Sequence, residues 1–291
     1  MDVIRAKTAG FCMGVGLALQ KLDTALEQPC AGRICTLGPI IHNPQVLADY
    51  EARGVFCAQE PSQLHADDRV LIRAHGITRQ VEEAVRTTGA EVVDATCPKV
   101  KRAQLAIERA TRGGAELLLF GEADHPEVRG LVSYAHGPAH VFGSRDELAA
   151  LAADPQRAYV LASQTTQDRS VFEQLEQELR ERLPRLEVLA TICDATRERQ
   201  EEARSIAARV EAMVVVGGRQ SGNTRRLADL AAQSGIATYH IEQAGELRAE
   251  DFAHKTRVGL TAGASTPRTL IDATQAWLEG LRDGERQPAA S

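Results

Sequence analysis

Short apolar runs alternate along the chain with longer stretches in which apolar residues recur every three or four positions. LLLF precedes the periodic stretch HPEVRGLVSYA, and MVVV precedes SGNTRRLADLAAQ. Short apolar runs bounded by glycine and polar residues predict strands, and the longer periodic stretches predict helices. Strands that alternate with helices are typical of parallel sheets covered by helices. The pattern therefore predicts an α/β fold.

One succession of elements occurs three times, and each time a cysteine stands between a strand and a helix. The three segments are VIRAKTAGFCMGVGLALQKL, EVVDATCPKVKRAQLAIERA and LEVLATICDATRERQEEARSIAARV. Their cysteines, Cys12, Cys97 and Cys193, are separated by 85 and 96 positions. An internal repeat of this kind predicts repeated supersecondary units. We expect α/β units at residues 12–96, 97–192 and 193–282, followed by a flexible tail over 283–291.

The third unit lacks the last strand of the other two, because nothing like EVVD or LEVL follows its final helix. The missing strand is found at the start of the chain, where residues 2–7 precede Cys12 as EVVD precedes Cys97. We therefore predict that the N-terminal strand completes the third unit. The three units would then close a ring with pseudo-threefold symmetry.

Polar residues stand at matching places in the loops of the three repeats. Right-handed crossovers put every strand-to-helix loop at the carboxyl edge of its sheet, where α/β proteins bind ligands. We expect the cysteines and these loops to converge. The loop residues are His42, His125 and Ser221 in one set and His75, Thr165 and Ser265 in the other.

Three isolated thiolates that meet on one axis would leave a fourth metal position open for chemistry. Thiolates select zinc or iron–sulfur clusters. A zinc finger typically has pairs of cysteines a few residues apart, whereas Cys12, Cys97 and Cys193 are isolated and far apart in the sequence. Their places near helix N-termini favour negative sulfur. An iron–sulfur centre, a zinc site and no metal all stay open on spacing alone. We interpret Cys30, Cys35 and Cys57 as small buried hydrophobic residues.

The loops also have the composition of an anion site. Ser221, Gly222 and Asn223 open a helix, where backbone N–H groups bind phosphate, and Gly222 lets the backbone approach closely. His42 and His75 can add charge-assisted bonds. Each serine or threonine is equally a helix cap when considered singly. Glu127 is either a helix-start acid or a proton donor to which Gln164, Thr165 and Thr166 hydrogen-bond.

Composition narrows the partners. The 291 residues are 43% hydrophobic, so a large core can form, and a net charge of -6 with scattered lysine and arginine gives no basic surface for nucleic acid. We find no signal-peptide pattern and no apolar run long enough for a membrane span. We therefore expect a cytoplasmic protein that interacts with neither membrane nor nucleic acid.

Taken together, the motifs resemble those of the 4-hydroxy-3-methylbut-2-enyl diphosphate reductases, iron–sulfur oxidoreductases of the non-mevalonate isoprenoid pathway. The resemblance covers about residues 2–281. It rests on AGFCMGV, GPIIHNPQV, RAHG, DATCPKV, HPEV, SQTT, TICDATRERQ, SGNTRRL and AGAST, all in the family's order.

The resemblance implies reductive removal of the substrate hydroxyl to give isopentenyl and dimethylallyl diphosphate. It implies a 4Fe–4S cluster on the three repeat cysteines and ferredoxin or flavodoxin as electron donor. Glu127 would donate the proton, with Thr165 beside the substrate hydroxyl. The diphosphate would be held by His42, His75, His125, Ser221, Asn223 and Ser265. Some family members have a second serine where this chain has Gly222, so one side-chain contact is replaced by a backbone N–H.

Two functions of other classes compete with this interpretation. A non-enzymatic iron–sulfur sensor or electron carrier would use the same cysteines, although it has no need of an anion site. A zinc-dependent hydrolase would use the same three thiolates and open position. Tight binding of a diphosphate separates the first from the reductase, and the visible absorbance of the protein separates the second.

Overall fold

The structure is a computed structural model, and it describes residues 1–284. The strands are β1 (Asp2–Arg5), β2 (Ile34–Leu37), β3 (Phe56–Ala58), β4 (Arg69–Ile72), β5 (Glu91–Asp94), β6 (Glu116–Phe120), β7 (Ala139–Phe142), β8 (Tyr159–Ser163), β9 (Leu186–Val188), β10 (Ala212–Val216), β11 (Ala237–Ile241) and β12 (Arg257–Ala262). The α-helices are α1 (Met13–Glu27), α2 (Pro44–Ala52), α3 (Arg79–Thr87), α4 (Pro98–Thr111), α5 (Pro126–Val132), α6 (Arg145–Ala150), α7 (Arg169–Arg182), α8 (Asp194–Ala207), α9 (Gly222–Ala232) and α10 (Arg268–Gly284). Short 3-10 helices lie at Pro61–Gln63, Ala244–Glu246 and Ala249–Phe252.

The strands form three four-stranded parallel sheets with one topology. Their orders are β3-β2-β4-β5, β7-β6-β8-β9 and β11-β10-β12-β1. In each sheet the first strand of the repeat lies between the second and the third, and the fourth strand lies outside the third. The prediction of three repeated α/β units is therefore confirmed, whereas the boundaries 12–96, 97–192 and 193–282 stay predictions.

The N-terminal strand completes the third sheet, as the repeat pattern predicts. β1 pairs in parallel with β12, with Val3 opposite Val258 and Arg5 opposite Leu260. Met1 belongs to the core on one face of this sheet and Ala6 to the core on the other. The first strand of the chain is thus an integral part of the sheet formed by the last strands.

Both faces of β10 are buried, which explains its unbroken apolar sequence. In β10, Val214 and Val216 pack into one core while Met213 and Val215 pack into the other. Successive side chains of a strand point to opposite faces, so a strand with helices on both sides is apolar at every position. Among residues 1–284, no helix is long and apolar enough to cross a bilayer.

The chain divides into two compact units. The terminal unit contains Met1–Cys12, His42–Val46 and the residues from Asp194 onward, with the sheet of β1, β12, β10 and β11. The central unit contains Met13–Ile41 and Leu47–Cys193, with the other two sheets. The short segment His42–Val46 therefore belongs with the third repeat although the first repeat encodes it.

The cysteines outside the repeat pattern differ in burial. Cys35 is fully buried in β2, and burial raises the pKa of its thiol to about 12. Cys30 is half-buried, and Cys57 is exposed. The prediction of a buried Cys57 is wrong because β3 is a three-residue edge strand in which only Ala58 is buried.

The last helix, α10, extends beyond the predicted start of the tail. Helix α10 continues to Gly284 and so includes the first two residues of the predicted tail at 283–291. The rest of that tail, residues 285–291, lies outside the described residues.

A buried carboxylate fixes the beginnings of two strands of the central unit. Asp68 Oδ1 accepts hydrogen bonds from the backbone N and Nε of Arg33, and Oδ2 accepts from Arg33 Nη2 and the backbone N of His65. The bonds from Arg33 come first among the causes that hold the pKa of Asp68 well below its usual range. Because the folded protein prefers the ionised form, this contact stabilises the fold above the carboxyl's ordinary pKa and weakens as pH falls.

We expect Asp68→Asn to lower the free energy of unfolding at neutral pH by about 1 to 3 kcal/mol, because it removes the charged acceptor of several hydrogen bonds from a buried position. Urea unfolding measures this effect. The difference from the original protein should begin to shrink below about pH 5, where Asp68 of the unfolded chain becomes protonated, and should keep shrinking until the folded carboxyl titrates well below its usual range. Asp49→Asn, at an exposed carboxylate near Arg53, is the matched control and should change little. A difference that stays constant with pH would contradict this assignment.

Candidate active site

Each repeat cysteine immediately precedes a helix, as the sequence predicts. Cys12 is followed by α1, Cys97 by α4 and Cys193 by α8, and all three are half-buried. Cys12 lies in the terminal unit, whereas Cys97 and Cys193 lie in the central unit. The convergence of all three stays a prediction.

The loop residues of the first set occupy one position in the repeat. His42, His125 and Ser221 each lie five positions after the last residue of β2, β6 and β10, respectively. His125 is the N-cap residue of α5, and its Nδ1 accepts a hydrogen bond of 3.1 Å from the backbone N of Glu127. The neutral ring then carries its proton on Nε2, which is the atom that can donate to an anion.

Glu127 is almost completely buried, with 1% of its surface exposed, and its carboxylate is bound by Thr165. The backbone N of Thr165 donates to Oε1 at 2.6 Å, and the hydroxyl donates to Oε2 at 3.0 Å. The carbonyl of Thr165 accepts from the backbone N of Cys193 at 2.9 Å. Three residues from separate loops of the central unit are therefore joined by hydrogen bonds. The predicted contact between Glu127 and Thr165 is present, and Glu127 does more than begin a helix.

His75 and His125 lie together in the central unit. Their ring centroids are 5.4 Å apart, and the rings meet edge to face at 83°. The turn that carries His75 is attached to the cysteine of the next repeat, because the backbone N of Cys97 donates to the carbonyl of Ala74 at 2.9 Å. Two predicted anion-binding side chains and a predicted metal ligand are thus held by one group of loops.

In the terminal unit, Ser221, Gly222 and Asn223 form the N-terminus of α9. The Ser221 hydroxyl accepts from the backbone N of Thr224 at 3.4 Å, so its capping role is confirmed. Asn223 is 7% exposed, and its Nδ2 is buried with no hydrogen-bond acceptor among residues 1–284. A buried amide donor of this kind, at a helix N-terminus, suits an anionic ligand.

The loop after β12 holds two further predicted site residues in place. The Ser265 hydroxyl donates to the carbonyl of His42 at 3.0 Å, and the backbone N of Cys12 donates to the carbonyl of Ala264 at 3.1 Å. Within the terminal unit, the GAST loop therefore contacts both the segment that carries His42 and the cysteine before α1.

Sequence reasoning missed Arg199, which organises the same region. Its guanidinium is buried and donates from Nη1 to the carbonyl of Ala262 at 2.9 Å and from Nη2 to that of Gly10 at 3.1 Å. Arg199 therefore links the end of β12 to the loop before Cys12. A buried arginine in an otherwise charged helix gives no periodic signal. Gln164, weighed only as a partner of Glu127, instead accepts from the backbone N of Glu122.

These loops can supply donors to an anion, thiolates to a metal and a carboxyl group to a proton transfer. The fold and these residues define an α/β enzyme of three repeated parallel sheets. A model of the family described as "LytB protein" matches residues 3–279. The chain belongs to the LytB family.

Relatives of this chain carry one name. A protein of Desulfovibrio desulfuricans named 4-hydroxy-3-methylbut-2-enyl diphosphate reductase is 70% identical over 286 residues, which cover 97% of this chain and 100% of the relative. A protein of the same name from Nitratidesulfovibrio vulgaris is 60% identical over 282 residues, with 97% and 100% covered. The similarity extends over whole chains, so the chain is an oxidoreductase of this family.

Solved structures agree with the fold. The structure of (E)-4-hydroxy-3-methyl-but-2-enyl diphosphate reductase, the terminal enzyme of the non-mevalonate pathway, is 38% identical, with a TM-score of 0.69 and coverage of 96% of this chain and 99% of the other. The reductase of Plasmodium falciparum is 20% identical, with a TM-score of 0.88 and coverage of 98% and 99%. The second similarity shows the fold alone.

Gly263 allows the loop after β12 to lie against α9. A Cβ atom at this position would stand 2.0 Å from Thr224 Oγ1 and 3.1 Å from Thr224 Cβ. We expect Gly263→Ala to push the loop and the helix N-terminus apart and to reduce stability by about 1 to 3 kcal/mol. Thermal unfolding measures the loss. Gly245→Ala, where nothing lies within 4 Å, is the control. Equal melting temperatures for the two variants would show that the close approach is unimportant.

Proposed function

We propose that the chain reduces 4-hydroxy-3-methylbut-2-enyl diphosphate to isopentenyl and dimethylallyl diphosphate with release of water. The reaction consumes a pair of electrons and a pair of protons. The name of the relatives supports the substrate. The observation that carries the proposal is the hydrogen-bonded series of Glu127, Thr165 and Cys193. In this series Thr165 binds the buried carboxylate of Glu127 and also the backbone N of a proposed cluster ligand.

We propose that Cys12, Cys97 and Cys193 hold a 4Fe–4S cluster. The donor set fits, because each residue precedes a helix and is half-buried, unlike the fully buried Cys35. When bound, the cluster would supply electrons and Lewis-acid chemistry for removal of the substrate hydroxyl.

The protein's own part in the reaction is a proton relay. A hydroxyl group both donates and accepts hydrogen bonds. When Glu127 is protonated, its Oε2 can therefore pass a proton to Thr165 Oγ1 across the contact of 3.0 Å. Thr165 then passes its own proton to the hydroxyl that leaves as water. Burial of both side chains keeps solvent from this step.

The anion donors hold the diphosphate in this proposal. Ser265 and the start of α9 act in the terminal unit, and His75 and His125 act in the central unit, with His42 completing the set. Ser221 and Asn223 contribute side chains, whereas Gly222 contributes only its backbone N–H. We expect the missing hydroxyl at position 222 to weaken binding modestly, without preventing the reaction.

The electrons come from another molecule, and we propose a small reduced carrier such as ferredoxin or flavodoxin. Reduced thiols persist in a reducing compartment, which supports a cytoplasmic location. An electron carrier without an active site does not account for the buried donor of Asn223 or for the buried Glu127. Iron and zinc analysis of the purified protein decides between the reductase and a zinc-dependent hydrolase.

Anaerobic purification followed by iron and zinc analysis tests the cofactor. We expect a brown protein with about four irons per chain and broad visible absorbance. Cys193→Ser should lose most of this iron, whereas Cys57→Ser, at an exposed thiol outside the repeat pattern, should retain it. A colourless, zinc-rich protein after cluster reconstitution would rule out the reductase. Full iron content in Cys193→Ser would refute the ligand assignment.

Glu127→Gln tests the proton relay. The amide cannot supply the proton, so we expect turnover to fall by at least about a hundredfold while the visible spectrum stays unchanged. Glu122→Gln, in the same loop, is the matched control and should retain activity, because Gln164 binds its backbone N. Turnover is measured with a chemically reduced donor and substrate. Near-normal turnover of Glu127→Gln would remove Glu127 from the mechanism.

A further inference from the structure

Two arginines of the central unit, Arg73 and Arg129, brace the turns that carry His75 and His125. The His75 turn is closed by a bond of 2.9 Å from the backbone N of Gly76 to the carbonyl of Arg73. The Arg73 side chain returns to the same turn, and its Nε donates to the carbonyl of Gly76 at 3.3 Å. Backbone and side chain of one arginine therefore hold both ends of this turn.

The His125 turn is built in a similar way. The backbone N of His125 donates to the carbonyl of Glu122 at 2.9 Å and closes the turn. Arg129, one helical turn later in α5, donates from Nε and Nη2 to the carbonyl of Asp124 at 3.2 and 2.6 Å. A guanidinium group with two N–H groups on one oxygen fixes the residue directly before His125.

The Arg73 guanidinium occupies space that a side chain at position 38 would fill. It packs against Gly38, where φ is +70° and a Cβ atom would stand 2.5 Å from Arg73 Nη1. Within the part of the chain that the structure describes, neither Arg73 nor Arg129 forms an ion pair with a carboxylate. Burial and then the charge of Arg129 lower the pKa of Arg73. The turns that carry the two histidines are therefore held by two arginines that pair with no carboxylate of residues 1–284.

We infer that Arg73 and Arg129 are positioning residues for diphosphate, which set the two histidine rings at the separation that adjacent phosphate oxygens require. The rings are 5.4 Å apart and meet edge to face, so a shift of either turn changes which nitrogen faces the ligand. The unpaired guanidinium charges add attraction for an anion at this place. The inference rests on the proposed function, since it takes the diphosphate as the ligand of His75 and His125.

Binding of inorganic diphosphate to the cluster-loaded full chain, measured by titration calorimetry, tests this role in a double-mutant cycle. We expect Arg73→Ala to weaken binding about tenfold in the original protein and hardly at all in a His75→Ala background, because the arginine acts through that histidine. The same holds for Arg129→Ala with His125→Ala. In turnover, the substrate KM should rise by a similar factor while kcat changes less than about twofold, since uniform binding is lost.

Arg169→Ala is the matched control, because Arg169 is an exposed arginine of the same compact unit and pairs with Glu173 on its own helix. Melting temperatures identify a variant that fails to fold, and the exposed Arg129 keeps the test open if Arg73→Ala does. Unchanged diphosphate binding in both arginine variants would overturn the inference, as would equal losses with and without the histidines. An original protein that does not bind diphosphate would overturn the proposed anion site as well.

Discussion

Every strand of the three sheets runs parallel to its neighbours, and this arrangement determines where the polar residues of the chain lie. A parallel neighbour can be reached only by a crossover, so each strand is followed by a loop at the carboxyl edge and then by a helix. Cysteines, histidines and serines placed in these loops therefore come to the carboxyl edges of their sheets. The repeated spacing of five residues from strand end to His42, His125 and Ser221 follows from this geometry.

Glu127, in the first turn of α5, shows how a residue beside such a loop can be kept ionised away from water. An ionised carboxylate removed from water is unfavourable unless hydrogen bonds replace its hydration. Thr165 supplies a backbone and a side-chain donor, one to each oxygen, and so stabilises the charged form. When Glu127 is protonated on Oε2, it can donate to the Thr165 hydroxyl instead of accepting from it. The same threonine joins Glu127 to the backbone of Cys193.

Sequence patterns were sufficient for the sheets and for much of the site, because both depend on local periodicity and repeat register. The completion of the third sheet by β1 could be predicted from the missing strand alone. The exposure of Cys57 could not, since an apolar run does not indicate whether its strand lies at an edge. Arg73 and Arg129 bind backbone carbonyls of nearby turns, and Arg199 binds those of two distant segments. Such bonds use no particular partner side chain and therefore leave no pattern in the sequence.

The pairing of β1 with β12 has a consequence for synthesis. Val3 is translated long before its partner Val258, and both central sheets are encoded between them. Neighbouring strands of the two central sheets can pair as they emerge, whereas β1 and Cys12 must wait with one apolar strand unpaired. Domains generally fold in order during translation, and waiting strands are prone to aggregation. We therefore expect the terminal sheet, and with it the position of Cys12, to form later than the two central sheets.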